Sequence, residues 1–406
     1  MIYIRWVLML ALAFGAGELV RRIKLPAILG WLICGMLLGP HGLNLMPQTL
    51  IDDGVYKAII QWMQVSFGVM LGSELIWKRL KRYGRELIVT TLWQSLSTFV
   101  VVSLAFSLIC VHLNMPIYVG FIFGGIALAT APAPALSIVR EFHTSGPVTD
   151  TLIPMTILDD VVGIVVFFSV NAVATAQVSG QGGAALLAVI PVMIFLPIIL
   201  GIVVGIPCAR LLRQVPVQKS IYVLLGFVTL TDVLGWFFQT FVLTGISLNF
   251  MLMGVAFAAT FANLVDEQEL DPIVQRFNPV LNISILAAIV DLGAPLDYHL
   301  IMGAGVYTAV YIIARAIGKY GGARIGATIM HMPETVQKYL GLTLLPHSGV
   351  SLVFTGIACA TLAPLPDCVS LVQGTIAAAA VINEIIAVIL AKKGFEKSGE
   401  IRVTSK

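Results

Sequence analysis

Charge is scarce in this chain. Of its 406 residues only 11% are Asp, Glu, Lys or Arg, against roughly 25% in soluble domains. Too few charged groups are present to cover a water-facing surface. Cysteine is also sparse: Cys34, Cys110, Cys208, Cys359 and Cys368 are scattered, with no CxxC or Cys/His spacing. No spacing therefore suggests a metal, and the cysteines read as small apolar fillers. The net charge of +3, with no basic run interleaved with aromatics, gives no reason to expect a nucleic-acid partner. No Ser-His-Asp, metal-ligand or nucleotide pattern appears, so an enzyme is not expected. Alternating segments of the kind that build a membrane β-barrel are missing as well.

Long apolar runs are abundant. The chain is 58% hydrophobic, and its mean hydropathy is +0.97. Runs of roughly 18 residues or more recur along its length, each able to cross a bilayer as a helix. This is the composition of an all-α integral membrane protein whose surroundings are lipid. About thirteen spans satisfy the run criterion, near 3–20, 25–45, 55–76, 86–112, 115–138, 149–176, 183–212, 219–240, 244–263, 278–295, 299–320, 337–362 and 368–391. Arg5 precedes the first run, no cleavage site is convincing, and Arg21, Arg22 and Lys24 follow it, so a retained helix is expected rather than a signal peptide.

Loop charge sets the orientation. With the N-terminus outside, the inner loops hold Arg21, Arg22, Lys24, Lys78, Arg79, Lys81, Arg82, Arg85, Arg140, Arg210, Arg213, Lys219, Arg324 and Lys338, and the tail holds Lys392, Lys393, Lys397, Arg402 and Lys406. The outer loops hold almost none, as the positive-inside rule requires. The residues after Leu390 are too few for a soluble domain, so no attached nucleotide-binding domain is expected.

Against this apolar background a few residues stand out. "TILDDVVGIVVFF" places Asp159 and Asp160 side by side about ten residues inside a span. A charge at bilayer depth costs at least ~2.5–3.5 kcal/mol on insertion scales. Adjacent residues on a helix point about 100° apart, so both acids cannot share one direction. Two close carboxylates titrate as a coupled pair, and a site that takes either a proton or a hard cation makes the two compete. Lys319, in "IIARAIGKYGGARIGA", is deep if its span runs to 328 and snorkels to the interface if the span ends near 320. Arg315, one turn earlier, reads as a structural pairing residue. Asp232 and Glu384 read as structural too, because neither accompanies a helix break.

Two stretches interrupt the helical pattern. "ATAPAPALS" puts Thr130, Ala131, Pro132 and Pro134 in mid-membrane, and "LLPHSGVSL" does the same with Pro346, His347, Ser348 and Gly349. Freed carbonyls there can ligand a cation; a proline kink repaired by neighbouring helices is the plainer alternative. His347 reads as a packed, hydrogen-bonded histidine before it reads as a pH sensor. Pro132 to Pro346 and Gly35 to Gly254 are nearly equal separations, which hints at two repeats of about six spans.

Taken together, these stretches resemble the monovalent cation–proton antiporter superfamily, the sodium/hydrogen exchanger family, on its NapA-like and Kef-like branch. "LPAILGWLICGMLLGPHGL" is similar to the branch's second helix, "ALATAPAPALSIVREF" to its unwound segment, "TILDDVVGIVVF" to its paired-acid motif, "RAIGKYGGARIGA" to its lysine helix and "VINEIIAVILAKKG" to its last helix. The resemblance implies an NhaA/NapA-like fold: thirteen transmembrane helices in two inverted six-helix repeats, with two broken crossing helices. It also implies a homodimer and an elevator-type movement. Residues 1–84 and 218–297 would form the dimerisation domain, 85–176 and 298–394 the ion-carrying core, 177–217 a linker helix and 395–406 a cytoplasmic tail. Asp160 would be the principal cation and proton carboxylate, Asp159 would pair with Lys319, and Thr130 with the backbone at Ala131 would complete the cation's ligands. Paired acids imply electrogenic exchange.

Two departures bear on selectivity. Ala131 stands where the family has serine, and "LLPHSGVS" replaces the Kef-like Gln-Gly-Gly-Glu pattern. The expected function is therefore exchange of Na+ or Li+ for protons, with a K+/H+ antiporter or a coupled solute symporter as alternatives. No cofactor is expected, since the ions are substrates. A bacterial inner membrane is the expected location.

Overall fold

The computed structural model describes residues 2–22, 27–40, 42–51, 53–82, 84–130, 138–139, 142–178, 184–242, 248–294, 305–347 and 349–401. Among them every regular element is helical and no strand occurs. The chain divides into two compact units. The first comprises Met1–Leu19, Gly30–Arg82 and Thr175–Pro295; the second comprises Val20–Leu29, Tyr83–Ala174 and Leu296–Lys406.

In the first unit lie most of α1 (Ile2–Arg22) and α2 (Ala27–Leu38), then α3 (Gln48–Ile51), α4 (Gly54–Glu74) and α5 (Trp77–Arg82). Later in the chain the second unit contributes α6 (Arg85–His112), α7 (Tyr118–Ile126) and most of α8 (Pro147–Val178). The first unit resumes with α9 (Ala184–Leu212), α10 (Ser220–Phe237), α11 (Phe250–Leu264) and α12 (Glu267–Gly293). The second ends with α13 (Gly305–Ile329), α14 (Glu334–Thr343), α15 (Gly349–Thr361) and α16 (Pro366–Ser398).

The first unit is built on α4, which packs against α11 and α12, while α9 covers α11. Glycine lets these backbones nearly touch. A Cβ on Gly68 would stand 2.4 Å from the Met251 carbonyl oxygen, one on Gly72 would stand 2.2 Å from that of Val255, and one on Gly254 would stand 2.2 Å from that of Val65. Small residues at such crossings are the usual device of membrane helices, where lipid removes the hydrophobic drive and close contact must supply the attraction. Around this crossing the side chains are apolar: Val65, Val69, Phe257 and Phe261 are all buried. Polar contacts occur elsewhere in the unit. The Tyr56 hydroxyl donates to Asp291 Oδ1 at 2.6 Å, and Trp6 packs edge-on against the Tyr56 ring.

The second unit is built on α6 and α13, the most extensively packed pair in it. Here too glycine closes the gap. Gly318, Gly322 and Gly326 follow one another at four-residue spacing, and a Cβ on each would stand 2.5, 2.6 and 2.7 Å from the Cα atoms of Thr98, Gln94 and Thr90. The inner face of α6 carries Thr90, Thr91, Gln94, Ser95 and Thr98, all buried. Its opposite face carries Leu92, Leu96, Val100, Leu104 and Leu108, all exposed, and α13 likewise exposes Val306, Ile313, Ile317 and Ile325. A polar inside and an apolar outside suit hydrocarbon surroundings rather than water.

Among the described residues, five helical segments are long and apolar enough to cross a bilayer. Helix α13 is long enough, but Arg315, Lys319 and Arg324 lie on it. The runs expected at 115–138 and 337–362 are interrupted. Helix α7 stops at Ile126, α14 stops at Thr343, and α15 restarts at Gly349. The residues expected as a linker, 177–217, include α9, which packs on α11 and α10 within the first unit.

Within the stretch expected as a cytoplasmic tail, residues 395–401 are folded. Helix α16 continues to Ser398, and Gly399 ends it in a left-handed conformation (φ 74°). Glu400 is then buried. Its carboxylate accepts the Val148 amide at 2.7 Å, the Thr149 amide at 2.9 Å and the Thr149 hydroxyl at 2.7 Å. It thus satisfies orphan donors at the start of α8 and places a negative charge at a helix N-terminus, where the macrodipole favours it. Gly146 makes room: it sits at φ 153°, and a Cβ there would stand 2.7 Å from Glu400 Cδ. The helix end that this charged segment caps lies far away along the chain.

Candidate functional site

Helix α8 brings Asp159 and Asp160 twelve and thirteen residues past its start at Pro147, about 18–20 Å along its axis. They are therefore well inside a bilayer core of about 30 Å. Asp159 is fully buried, whereas Asp160, on the adjacent direction of the helix, is half-buried. Lys319, fully buried on α13, lies ten residues before the end of that helix at Ile329. It is a deep lysine and does not snorkel.

Asp159 gathers donors from three other elements. The Ser95 hydroxyl on α6 donates to Oδ1 at 2.6 Å. The Thr130 hydroxyl, beyond the end of α7, donates to Oδ2 at 2.6 Å. Lys319 Nζ on α13 stands 2.8 Å from Oδ2. Gln94, one residue before Ser95, completes the ring. Carboxylate oxygens only accept and an ammonium only donates, so its amide nitrogen must face Asp159 and its oxygen must face Lys319. In that orientation the nitrogen donates to Oδ1 at 2.6 Å and to Oδ2 at 2.9 Å, and the oxygen accepts from Lys319 Nζ at 2.9 Å. Lys319 also donates to the Leu128 carbonyl at 2.7 Å and the Thr130 hydroxyl at 2.6 Å.

Removing an ion pair from water costs several kcal/mol per ion, and only good geometry with further hydrogen bonds offsets it. Asp159 and Lys319 have both. The Thr130 hydroxyl is engaged on each side of the pair, donating to Asp159 and accepting from Lys319, so in this arrangement it serves the ion pair.

The described parts of the two interrupted stretches meet. Thr130 and His347 form an antiparallel backbone bridge. Arg315, also buried, holds them together. Its guanidinium donates to the carbonyls of Ala127 (3.0 Å), Ala129 (3.0 Å), Leu345 and Pro346 (3.2 Å). Asn383 on α16 donates to the Leu345 carbonyl at 2.9 Å. The carbonyls freed by the helix breaks thus find a cationic clamp. His347 is buried, its Nε2 3.1 Å from the Tyr311 hydroxyl. Gly349 opens α15. Ala131, Pro132, Pro134 and Ser348 lie outside the described residues. Asp232 is half-buried on α10, in the other unit, and Glu384 lies on α16.

Sequence reasoning missed Gln94 and Ser95. The signal was available: "TTLWQSLST" puts Thr90, Thr91, Gln94, Ser95 and Thr98 on one face of an otherwise apolar span. It also missed the clamp made by Arg315. Among the described residues no group of three or more His, Cys, Asp and Glu is placed to hold a metal ion. The chemistry on offer is two acids, one lysine and neutral oxygens, which suits a loosely held hard cation and protons.

Residues 8–393 match the family described as sodium/hydrogen exchanger, transmembrane. The chain belongs to that family. The exchanger is accordingly a multi-pass membrane protein of the cation–proton antiporter class, a transporter and not an enzyme. Its fold is similar to that of the sodium proton antiporter MjNhaP1 from Methanocaldococcus jannaschii at pH 8, with a TM-score of 0.71, 18% identity and 97% of each chain covered. An electron-microscopy structure of the same antiporter matches with a TM-score of 0.62 and 19% identity over 98% of this chain and 97% of that one. No curated protein sequence matches the chain.

Proposed function

We propose that the protein exchanges Na+ or Li+ for protons, with Asp160 as the carboxylate that cation and protons contest. One observation carries this reading. The oxygens of Asp159 are engaged by Gln94, Ser95, Thr130 and Lys319, while Asp160 stands beside it, half-buried, on the next direction of α8. A fully buried carboxylate surrounded by donors is committed to the ion pair, and its neighbour is the one that solvent reaches.

In this scheme a cation approaching Asp160 displaces a proton from it. Its positive charge also weakens the hold of Asp159 on Lys319, which can then release a second proton. Thr130 turns from the ion pair to the cation as it settles, and the backbone at Ala131 would complete the cation's ligands. Two acids and one lysine make the exchange electrogenic. The second unit would act as the ion-carrying core of an elevator and the first as a dimerisation scaffold, within thirteen helices in two inverted six-helix repeats. The N-terminus would lie outside a bacterial inner membrane and the C-terminus in the cytoplasm.

Everted vesicles holding a proton gradient test the reading. Sodium should dissipate the gradient with the wild-type protein and leave it at background with Asp160→Asn. Normal exchange by that variant would overturn the assignment. Running lithium and potassium in the same assay separates Na+/H+ from K+/H+ antiport, and no response to any monovalent cation would favour a coupled symporter.

A further inference from the structure

The exchange scheme gives α6 no part, yet α6 supplies a neutral side chain that contacts both charged members of the pair through separate atoms. We propose that Gln94 is a positioning residue of the exchange: its amide joins Asp159 to Lys319 and governs their separation. This rests on the antiport reading above. Gln94 is fully buried, and its Cα is held against α13, where a Cβ on Gly322 would come within 2.6 Å. Its side chain therefore hangs from a rigid crossing rather than a loop. The amide contacts Asp159 at 2.6 and 2.9 Å and Lys319 at 2.9 Å. Thr130 also touches both, but through one oxygen and from an interrupted stretch.

A primary amide has a property that a hydroxyl or a charged group lacks. It presents a donor and an acceptor on one plane, and a half-turn exchanges them. With the pair ionised, the nitrogen serves the carboxylate and the oxygen serves the ammonium. When the proton moves from Lys319 Nζ to Asp159, an N–H bond breaks, an O–H bond forms, and both groups become neutral. The half-turned amide then accepts from the carboxyl and donates to the amine. Gln94 keeps both partners satisfied in either state, so the pair can separate and re-form without leaving an orphaned buried charge. Among the described residues, the charged and titratable groups around this step are Asp159 and Asp160 on α8, Lys319, Arg315 and Tyr311 on α13, and His347 beside Thr130, while α6 contributes neutral Ser95 and Thr98.

Three variants test the assignment in proteoliposomes across a range of pH. Gln94→Leu keeps the bulk and removes the amide. Its maximal exchange rate should fall about 10- to 100-fold, with the apparent KM for sodium within about threefold of wild type, because Asp160 is untouched. Gln94→Asn, one methylene short, should behave similarly. Gln94→Glu offers a donor and an acceptor only when protonated, so its rate should approach wild type at acid pH and collapse at alkaline pH. A Gln94→Leu protein with wild-type exchange, or a Gln94→Glu protein whose rate relative to wild type ignores pH, would overturn the proposal. A double-mutant cycle in melting temperature between Gln94→Leu and Lys319→Met reads the bridge without transport: non-additivity supports it and additivity overturns it. Wild-type protein that exchanges no monovalent cation would overturn the antiport reading and this role with it, while a non-additive cycle would still show the bridge.

Discussion

Two of the helix crossings that glycine closes serve opposite ends. Between α4 and α11, Gly68, Gly72 and Gly254 bring the backbones together amid Val65, Val69 and Phe257. Between α6 and α13, Gly318, Gly322 and Gly326 do the same, but the residues beside them are Gln94, Ser95, Thr98 and Lys319. The backbone device is shared; the side chains differ. An apolar crossing holds a shape. A polar one fixes donors and acceptors, so a change in helix separation becomes a change in hydrogen-bond length. Close packing in membranes therefore does two jobs, and only the second depends on distances within tenths of an ångström.

The largest effect should follow from breaking the polar crossing at its charge. Lys319→Met leaves Asp159 buried without its counter-ion, which costs about 3–5 kcal/mol. Purified protein should melt far earlier and exchange nothing, while Asp159→Asn combined with Lys319→Met should recover most of the stability and none of the exchange. A single variant as stable as wild type would mean that the pair is not needed for the fold.

Adding one carbon at each crossing sharpens the comparison. Gly322→Ala and Gly254→Ala each overpack a backbone contact, at about 1–3 kcal/mol. Their losses in melting temperature should be alike. Exchange per folded molecule should fall in Gly322→Ala and hold in Gly254→Ala. Equal exchange in both would erase the distinction drawn between the crossings.

The smallest effect belongs to the cap on α8. Glu400→Ala removes it at about 1 kcal/mol, and Asp159 and Asp160 sit three turns away. Hydrogen exchange should quicken at Val148 and Thr149, with little change in sodium response. Unchanged protection there would show that the cap adds nothing.

These contrasts explain what was legible in the sequence. Asp159, Asp160 and Lys319 stand out because a charge in lipid is expensive, and Pro132, Pro134 and Pro346 because a proline has no amide donor for a helical ladder. Gln94 and Ser95 do not stand out: a neutral polar residue costs little in a span, and its importance comes from what lies opposite. Arg315 was visible as a charge, but its four carbonyl partners belong to stretches that only folding brings together. The glycines of "AIGKYGGARIGA" could be read as a small-residue stripe, yet nothing local names α6 as the helix that they meet. Likewise the capping role of Glu400 was out of reach because its partner lies 252 residues earlier.

That separation also imposes an order on synthesis. At ribosomal speeds of about 5–20 residues per second, Glu400 emerges roughly 10–50 s after Val148. The helix bearing both aspartates must enter the membrane with its first amides still on water, and it acquires its cap only when nearly every other helix has been made.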